Sequence, residues 1–281
     1  MLVVSALLYF CFSHHLTYAQ HDIVTNSLHG SPVKPDLLSP GESNATDFDW
    51  RIWRGNPIPI EQAPYTVLYG WLCGGTLIAI RFVITAAHCE KEYFVYAGSQ
   101  LREVNQEYPI KRHIYHPNWS GSEDHDYDYD LLILMLDKPV IKHDFSRPID
   151  LGAETDLRTG EVVYVSGWGH DTYVFNITKD KSYMSDKLRQ VRMSLLDHTD
   201  CAARAVPFYA EKFGEKKTIT PRMECAEGTE GGPCFGDYGG PVVANNKLVG
   251  VASWGIHCEP LLVFINLIPF TEWIDTTLKR N

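Results

Sequence analysis

Hydrophobic residues occur along most of this chain as short runs separated by glycine, proline and polar turn residues. Three such runs are Tyr65–Leu68, Arg81–Ile84 and Glu161–Val165. Short apolar runs rich in β-branched and aromatic residues, bounded by turn residues, are typical of β-strands. Their regular punctuation predicts an all-β chain, either a barrel or a sandwich.

A helical pattern is predicted only near the end of the chain, over Phe270–Lys279. The apolar positions that fall near one helical face there are Phe270, Trp273, Ile274 and Leu278. This spacing is that of a helix packed on one side, and Thr271 suits its start.

The first residues carry a different pattern, an apolar run from Leu2 to Phe12 broken only by Ser5. A run this short, followed by small residues near Ala19, predicts a secretory signal peptide over 1–19. No later stretch approaches the roughly 20 apolar residues that a membrane-spanning helix needs. We therefore expect a secreted, extracellular protein with no membrane span.

Residues 20–51 are rich in Asp, Ser, Pro, Asn and Gly and lack periodic hydrophobic residues. Such a segment buries too little apolar surface to offset its ordering entropy, so we predict a disordered pro-segment or linker. The length of the chain allows one large all-β domain or two small ones, and we assign residues 52–281 to a single domain.

The formal net charge is −10 at pH 7. Without a basic stripe, this charge disfavours a nucleic-acid partner. The sequence also contains neither a nucleotide-binding loop nor a suitably spaced set of metal ligands, so no cofactor and no metal site are predicted.

Seven cysteines are present, and one of them, Cys11, lies within the predicted signal peptide. The other six are Cys73, Cys89, Cys201, Cys225, Cys234 and Cys258. An even set in an exported chain favours disulfides over redox or metal chemistry, although six cysteines allow 15 pairings. Three N-x-S/T sequons, at Asn44, Asn118 and Asn176, are candidate glycosylation sites.

Three motifs with chemical meaning follow one another along the chain. They are TAAHC (Thr85–Cys89), DLLIL (Asp130–Leu134) and GDYGGP (Gly236–Pro241), and CGGTLI, SGWG and SWG occur around them. Together these motifs resemble the chymotrypsin-like serine proteases, whose members carry TAAHC, DIALL and GDSGGP in that order. The resemblance runs from about Ile52 to the C-terminus.

The resemblance implies two packed six-stranded β-barrels with a C-terminal helix, and disulfides joining Cys73 to Cys89, Cys201 to Cys225 and Cys234 to Cys258. It also places His88 as the general base and Asp130 as the residue that orients it. The acidic stretch 123–129 offers other aspartates, but Asp130 directly precedes the apolar run that forms the strand. That acidic stretch itself is interpreted as a solvated loop, with a cation site or a contact to a basic partner as the alternative.

The nucleophile position of the family falls on Tyr238. The oxyanion donors would be the N–H groups of Gly236 and Tyr238, because a glycine-rich elbow directs backbone amides at the developing charge. A tyrosine hydroxyl lies several ångströms farther from the backbone than a serine hydroxyl, so it overshoots the attacking position. We therefore predict that peptide hydrolysis is lost.

A zymogen-like junction is implied at Arg51 and Ile52, where cleavage would release an ammonium group that pairs with Asp237. Trp53 and Arg54 depart from the Val-Gly that usually follows such a junction. Bulky residues there argue against insertion of the new terminus. Cleavage after Arg51 is thus one hypothesis, and an uncleaved linker is the other.

The substrate pocket of the family maps to four positions: Gly232, Ser253, Gly255 and Leu262. Gly232 stands where trypsin-like relatives carry the aspartate that selects basic substrates. Leu262 stands where a glycine usually keeps the pocket open, so it is predicted to obstruct the pocket.

These observations favour a secreted serine protease homologue that binds as a cofactor, decoy or regulator in extracellular proteolysis. Its partners would be proteases, their substrates or their inhibitors. The first alternative is a serine-type endopeptidase with weak or unusual activity, which His88 and Asp130 favour. The second is a structural or storage glycoprotein, which has no motif of its own.

Overall fold

A computed structural model describes residues 55–121, 126–170, 184–213, 217–229, 231–255 and 258–281. The predicted signal peptide 1–19, the pro-segment 20–51, the Arg51–Ile52 junction and the sequons at Asn44 and Asn176 lie outside these residues. The predictions made for them therefore stay predictions.

The described residues form mostly β-strands, as the sequence pattern predicts. In chain order they are β1 (Asn56–Pro57), β2 (Thr66–Tyr69), β3 (Cys73–Ala79), β4 (Phe82–Thr85), β5 (Phe94–Ala97), β6 (Gln106–Tyr115), β7 (Leu132–Leu136), β8 (Val162–Gly167), β9 (Arg189–Leu195), β10 (Met223–Gly228), β11 (Pro241–Ala244), β12 (Lys247–Gly255) and β13 (Leu261–Asn266). Short 3-10 helices cover Ile60–Gln62, Arg102–Val104, Glu154–Asp156 and Ile268–Phe270.

The strands close into two six-stranded antiparallel barrels, which confirms the chymotrypsin-like fold class. The first barrel has the order β2-β3-β4-β7-β6-β5 and closes through the pairing of β2 with β5. The second has the order β9-β10-β13-β12-β11-β8 and closes through the pairing of β8 with β9, with β1 added beside β9. Closure removes the free edges that would otherwise leave backbone groups unpaired.

Closure of the barrels determines which residues of each strand are buried. In β9 buried and more exposed positions alternate, because one face points into the barrel and the other points outward. In β7 all five residues, Leu132–Leu136, are buried, so this strand is covered on both faces. Asp130 lies two residues before β7, which fixes it at the edge of a rigid core.

The described residues include two α-helices, α1 (His198–Phe213) and α2 (Thr271–Arg280). The α2 helix confirms the predicted C-terminal helix. The expectation that only this last stretch is helical is wrong, because α1 is a second helix.

The sequence pattern misses α1 because its buried side chains are small. Cys201 and Ala205, four residues apart, are buried on its inner face, so no stripe of large apolar residues marks it. The helix is stabilised instead by Asp197, whose Oδ1 accepts the N–H of Thr199 at 2.8 Å, and by the disulfide from Cys201 to Cys225.

Three disulfides tie the fold together, and their pairing is the one that the family resemblance implies. They join Cys73 to Cys89, Cys201 to Cys225, and Cys234 to Cys258. Of these, Cys73–Cys89 and Cys234–Cys258 flank the histidine and the glycine-rich elbow. In the described part of the chain, no helix has the length and apolar character needed to cross a membrane.

Candidate active site

The structure brings His88 and Asp130 together at the end of the first barrel. His88 Nδ1 lies 2.7 Å from Asp130 Oδ2, and the His88 backbone N–H donates to Asp130 Oδ1 at 2.8 Å. A carboxylate can only accept, so this contact places the ring proton on Nδ1 and leaves Nε2 as the basic nitrogen. Asp130 itself is fully buried.

Ser253 completes the surroundings of the aspartate. Ser253 lies in β12 of the second barrel, and its Oγ donates to Asp130 Oδ2 at 2.6 Å. The sequence marks Ser253 as a pocket residue through the SWG motif, but it carries no sign of this contact. The hydrogen bond holds the carboxylate in the orientation that serves His88.

Tyr238 approaches His88 from the elbow. The two rings meet edge to face, with centroids 6.1 Å apart and an interplanar angle of 66°. Tyr127 also makes an edge-to-face contact with the same imidazole, with the ring centroids 5.2 Å apart. The histidine is therefore bordered by two aromatic rings, and 18% of its side chain is exposed.

The elbow holds Tyr238 in a backbone shape that glycines make possible. Gly236 and Gly239 have φ of +100° and +83°, a region that other residues rarely adopt. The N–H groups of Asp237, Gly239 and Gly240 donate to the carbonyls of Cys234, Ala252 and Asp237, respectively. These three amides are thereby committed to backbone hydrogen bonds, and Gly236 and Tyr238 stay the predicted oxyanion donors.

Close packing around Gly239 predicts a loss of stability when this glycine is substituted, and Gly160 provides a matched control. A Cβ at Gly239 would collide with Thr85 Oγ1 and lie 2.6 Å from the Gly74 carbonyl, whereas a Cβ at Gly160, whose φ is +82°, meets nothing within 4 Å. We expect Gly160→Ala to lower the free energy of unfolding by about 1 kcal/mol from backbone strain alone. Gly239→Ala should cost at least about 2 kcal/mol more, because atoms must shift. Urea unfolding measures both, and equal losses would contradict the tight elbow.

Asp237 is the second residue of the elbow and is almost fully buried. Its two carboxylate oxygens accept the backbone N–H groups of Gly169 at 2.8 Å and Cys234 at 2.9 Å. Burial raises the pKa of Asp237 to about 6, and the two N–H donors only partly oppose this shift. A side chain at Gly167 or Gly169 would collide with this carboxylate, so the SGWG motif makes room for it.

The predicted substrate-pocket positions are closely packed. A Cβ at Gly232 would collide with the carbonyl oxygen of Glu259, so the backbone of the neighbouring loop lies directly against this residue. Leu262 is fully buried, and Gly255 is its cross-strand partner. Leu262 also belongs to the apolar cluster against which Tyr238 packs.

His88 also neighbours the sulfurs of Cys73 and Cys89, with ligand atoms all within 4.8 Å. Because these sulfurs are bonded to each other, they are not the thiolates that a metal ion requires. No metal role is assigned to this group.

Two closed barrels with a histidine, a buried aspartate and a glycine-rich elbow between them define the class of chymotrypsin-like serine proteases. The profile of the trypsin family matches residues 52–274, and this chain belongs to that family.

Several relatives are similar over most of their length. The chain is 32% identical to the vitellin-degrading protease of Bombyx mori over 83% of this chain and 87% of the relative. It is 31% identical to a trypsin of Sarcophaga bullata over 83% of this chain and 91% of the relative. The solved structure of mouse neuropsin, a serine protease, superposes with a TM-score of 0.66 at 27% identity, covering 80% of this chain and 98% of neuropsin.

Proposed function

We propose that this chain is a secreted member of the trypsin family that binds protein partners without cleaving them. Its role would be that of a cofactor, decoy or regulator in extracellular proteolysis, with proteases, their substrates or their inhibitors as partners. The observation that carries the proposal is Tyr238 in the nucleophile position, packed between His88 and the apolar cluster that contains Leu262.

Peptide hydrolysis requires the attacking oxygen to lie in a defined place. An acyl carbon has to sit within about 3 Å of both the nucleophile and the oxyanion donors, and a phenol hydroxyl extends beyond this place. Loss of the nucleophile in comparable proteases costs about a million-fold in kcat. The hydrogen bonds from His88 and Ser253 to Asp130 would then serve to hold the site together rather than to turn substrate over.

The proposed location of the protein rests on two features. The N-terminal run Leu2–Phe12 has the length of a signal peptide core, and three disulfides suit an oxidising compartment. We propose the boundaries 1–19 for the signal peptide, 20–51 for the pro-segment and 52–281 for the protease-like domain. Asn118 is exposed and is proposed as a glycosylation site.

Incubation of the purified secreted chain with a broad peptide library tests this function. The chain is used both intact and after cleavage at Arg51, and products are followed by mass spectrometry. We expect wild type and Tyr238→Ala to leave the peptides equally intact. Cleavage by the wild type that disappears in His88→Ala would overturn the proposal and favour an endopeptidase of unusual chemistry.

A further inference from the structure

A cleft of about 160 Å³ opens beside Tyr238 and His88, and the predicted pocket positions are not among its lining residues. Its walls are largely apolar and include Leu72, Phe235 and the Cys73–Cys89 disulfide. Clefts with apolar walls and a few fixed polar groups are the usual form of binding sites.

One of the polar groups in this cleft, Glu92, is held in place by its neighbours. The Glu92 N–H donates to Tyr69 Oη at 3.1 Å, and His113 Nε2 lies 2.9 Å from the Glu92 carbonyl. Both ends of its backbone are therefore fixed before any ligand arrives. Such preorganisation reduces the entropy lost on binding.

Gly70 makes room for the Glu92 side chain itself. A Cβ at Gly70 would collide with Cγ of Glu92 and lie 2.6 Å from its Oε1. The φ of Gly70 is +59°, so a glycine is also favoured there by the backbone. The Glu92 carboxylate therefore packs against Gly70 in a defined position.

Glu92 brings a negative charge to the lining of the cleft. Among the described residues it has no ion-pair partner, although it lines an apolar cleft. A ligand that complements this cleft has an apolar stem and a cationic end. Lysine and arginine side chains have this form.

We propose that this cleft binds a lysine or arginine side chain of the protein partner, with Glu92 as its counter-ion. The proposal rests on the binding function proposed above and names the chemistry that the site selects. Selection of basic residues would therefore take place beside Tyr238, and not at Gly232, where the acid of trypsin-like relatives is missing.

Two heptapeptides that differ at one position test the proposal. Both are blocked at their ends, and the central residue is arginine in one and citrulline, its neutral isostere, in the other. Binding to the wild-type chain is measured by titration calorimetry at low ionic strength. We expect the arginine peptide to bind at least about tenfold more tightly, as a charge-assisted hydrogen bond to a carboxylate predicts.

Glu92→Gln should reduce the preference for arginine to about onefold, while Glu107→Gln, which removes an exposed carboxylate of β6 outside this cleft, should preserve it. Equal binding of both peptides to the wild type, no binding of either, or a preference that survives Glu92→Gln would overturn the proposal. Hydrolysis of either peptide would contradict the absence of catalysis without bearing on the Glu92 preference, so the two proposals fail separately.

Discussion

The Tyr238→Ser variant is expected to hydrolyse peptides on the order of a thousand-fold faster than the wild type. The reason is that His88, Asp130 and Ser253 already form a connected hydrogen-bond network, so a serine would restore the missing nucleophile to an existing base. We expect a gain below the million-fold cost of nucleophile loss, because Leu262 is buried and the Glu259 backbone lies against Gly232 at the predicted pocket positions. Single-turnover assays with the same peptide library measure the rate.

Two further variants separate the nucleophile from the pocket. Tyr238→Ser combined with His88→Ala should return the rate to the wild-type level. Tyr238→Ser combined with Leu262→Gly should raise it further, because the pocket is opened. If Tyr238→Ser, alone or combined with Leu262→Gly, gains no activity while both variants stay folded, Tyr238 is not the cause of the lost activity.

The free energy of unfolding is expected to fall by about 3 kcal/mol as the pH rises from about 4 to above 6, through Asp237 alone. Burial raises its folded-state pKa to about 6 from an ordinary value of 3.8, so the folded chain holds a proton that the unfolded chain has released. The stabilisation is complete below the unfolded pKa and is lost as the pH rises through the folded one. Urea unfolding at several pH values measures this slope, and Asp237→Asn should remove it.

The same measurement on chain cleaved after Arg51 tests the proposed junction. If the new Ile52 ammonium pairs with Asp237, it lowers the carboxyl pKa from about 6, so the contribution of Asp237 to the slope shrinks, and it reverses once that pKa falls below 3.8. An unchanged slope after cleavage would contradict insertion and would agree with the poor fit expected of Trp53 and Arg54. A slope that is absent already in the intact chain would contradict a protonated, buried Asp237.

The barrels could be predicted because each strand leaves a local mark. Runs such as Arg81–Ile84 and Glu161–Val165 are short, apolar and bounded by turn residues, and both coincide with strands to within two residues at each end. The α1 helix could not be predicted in this way, since it is stabilised by a disulfide and by small buried side chains and not by an apolar stripe.

Some residues of the candidate site could likewise be predicted from the sequence, and others could not. His88, Asp130 and Tyr238 lie in motifs, so the sequence alone singles them out. The contact of Ser253 with Asp130 and the cleft beside Glu92 depend on strands and loops that meet only in the folded chain. Glu92 has no motif around it, and a left-handed glycine at position 70, which makes room for its side chain, is visible only in three dimensions.

Covalent labelling by a serine-directed phosphonate tests the absence of catalysis most directly. The purified secreted chain, intact and cleaved after Arg51, is treated alongside Tyr238→Ser and an active trypsin. We predict no label on the wild-type chain in either form, and label on Tyr238→Ser that is lost with His88→Ala. Stoichiometric labelling of the wild type would contradict the account, because it would show an activated nucleophile that Tyr238 is argued to have replaced.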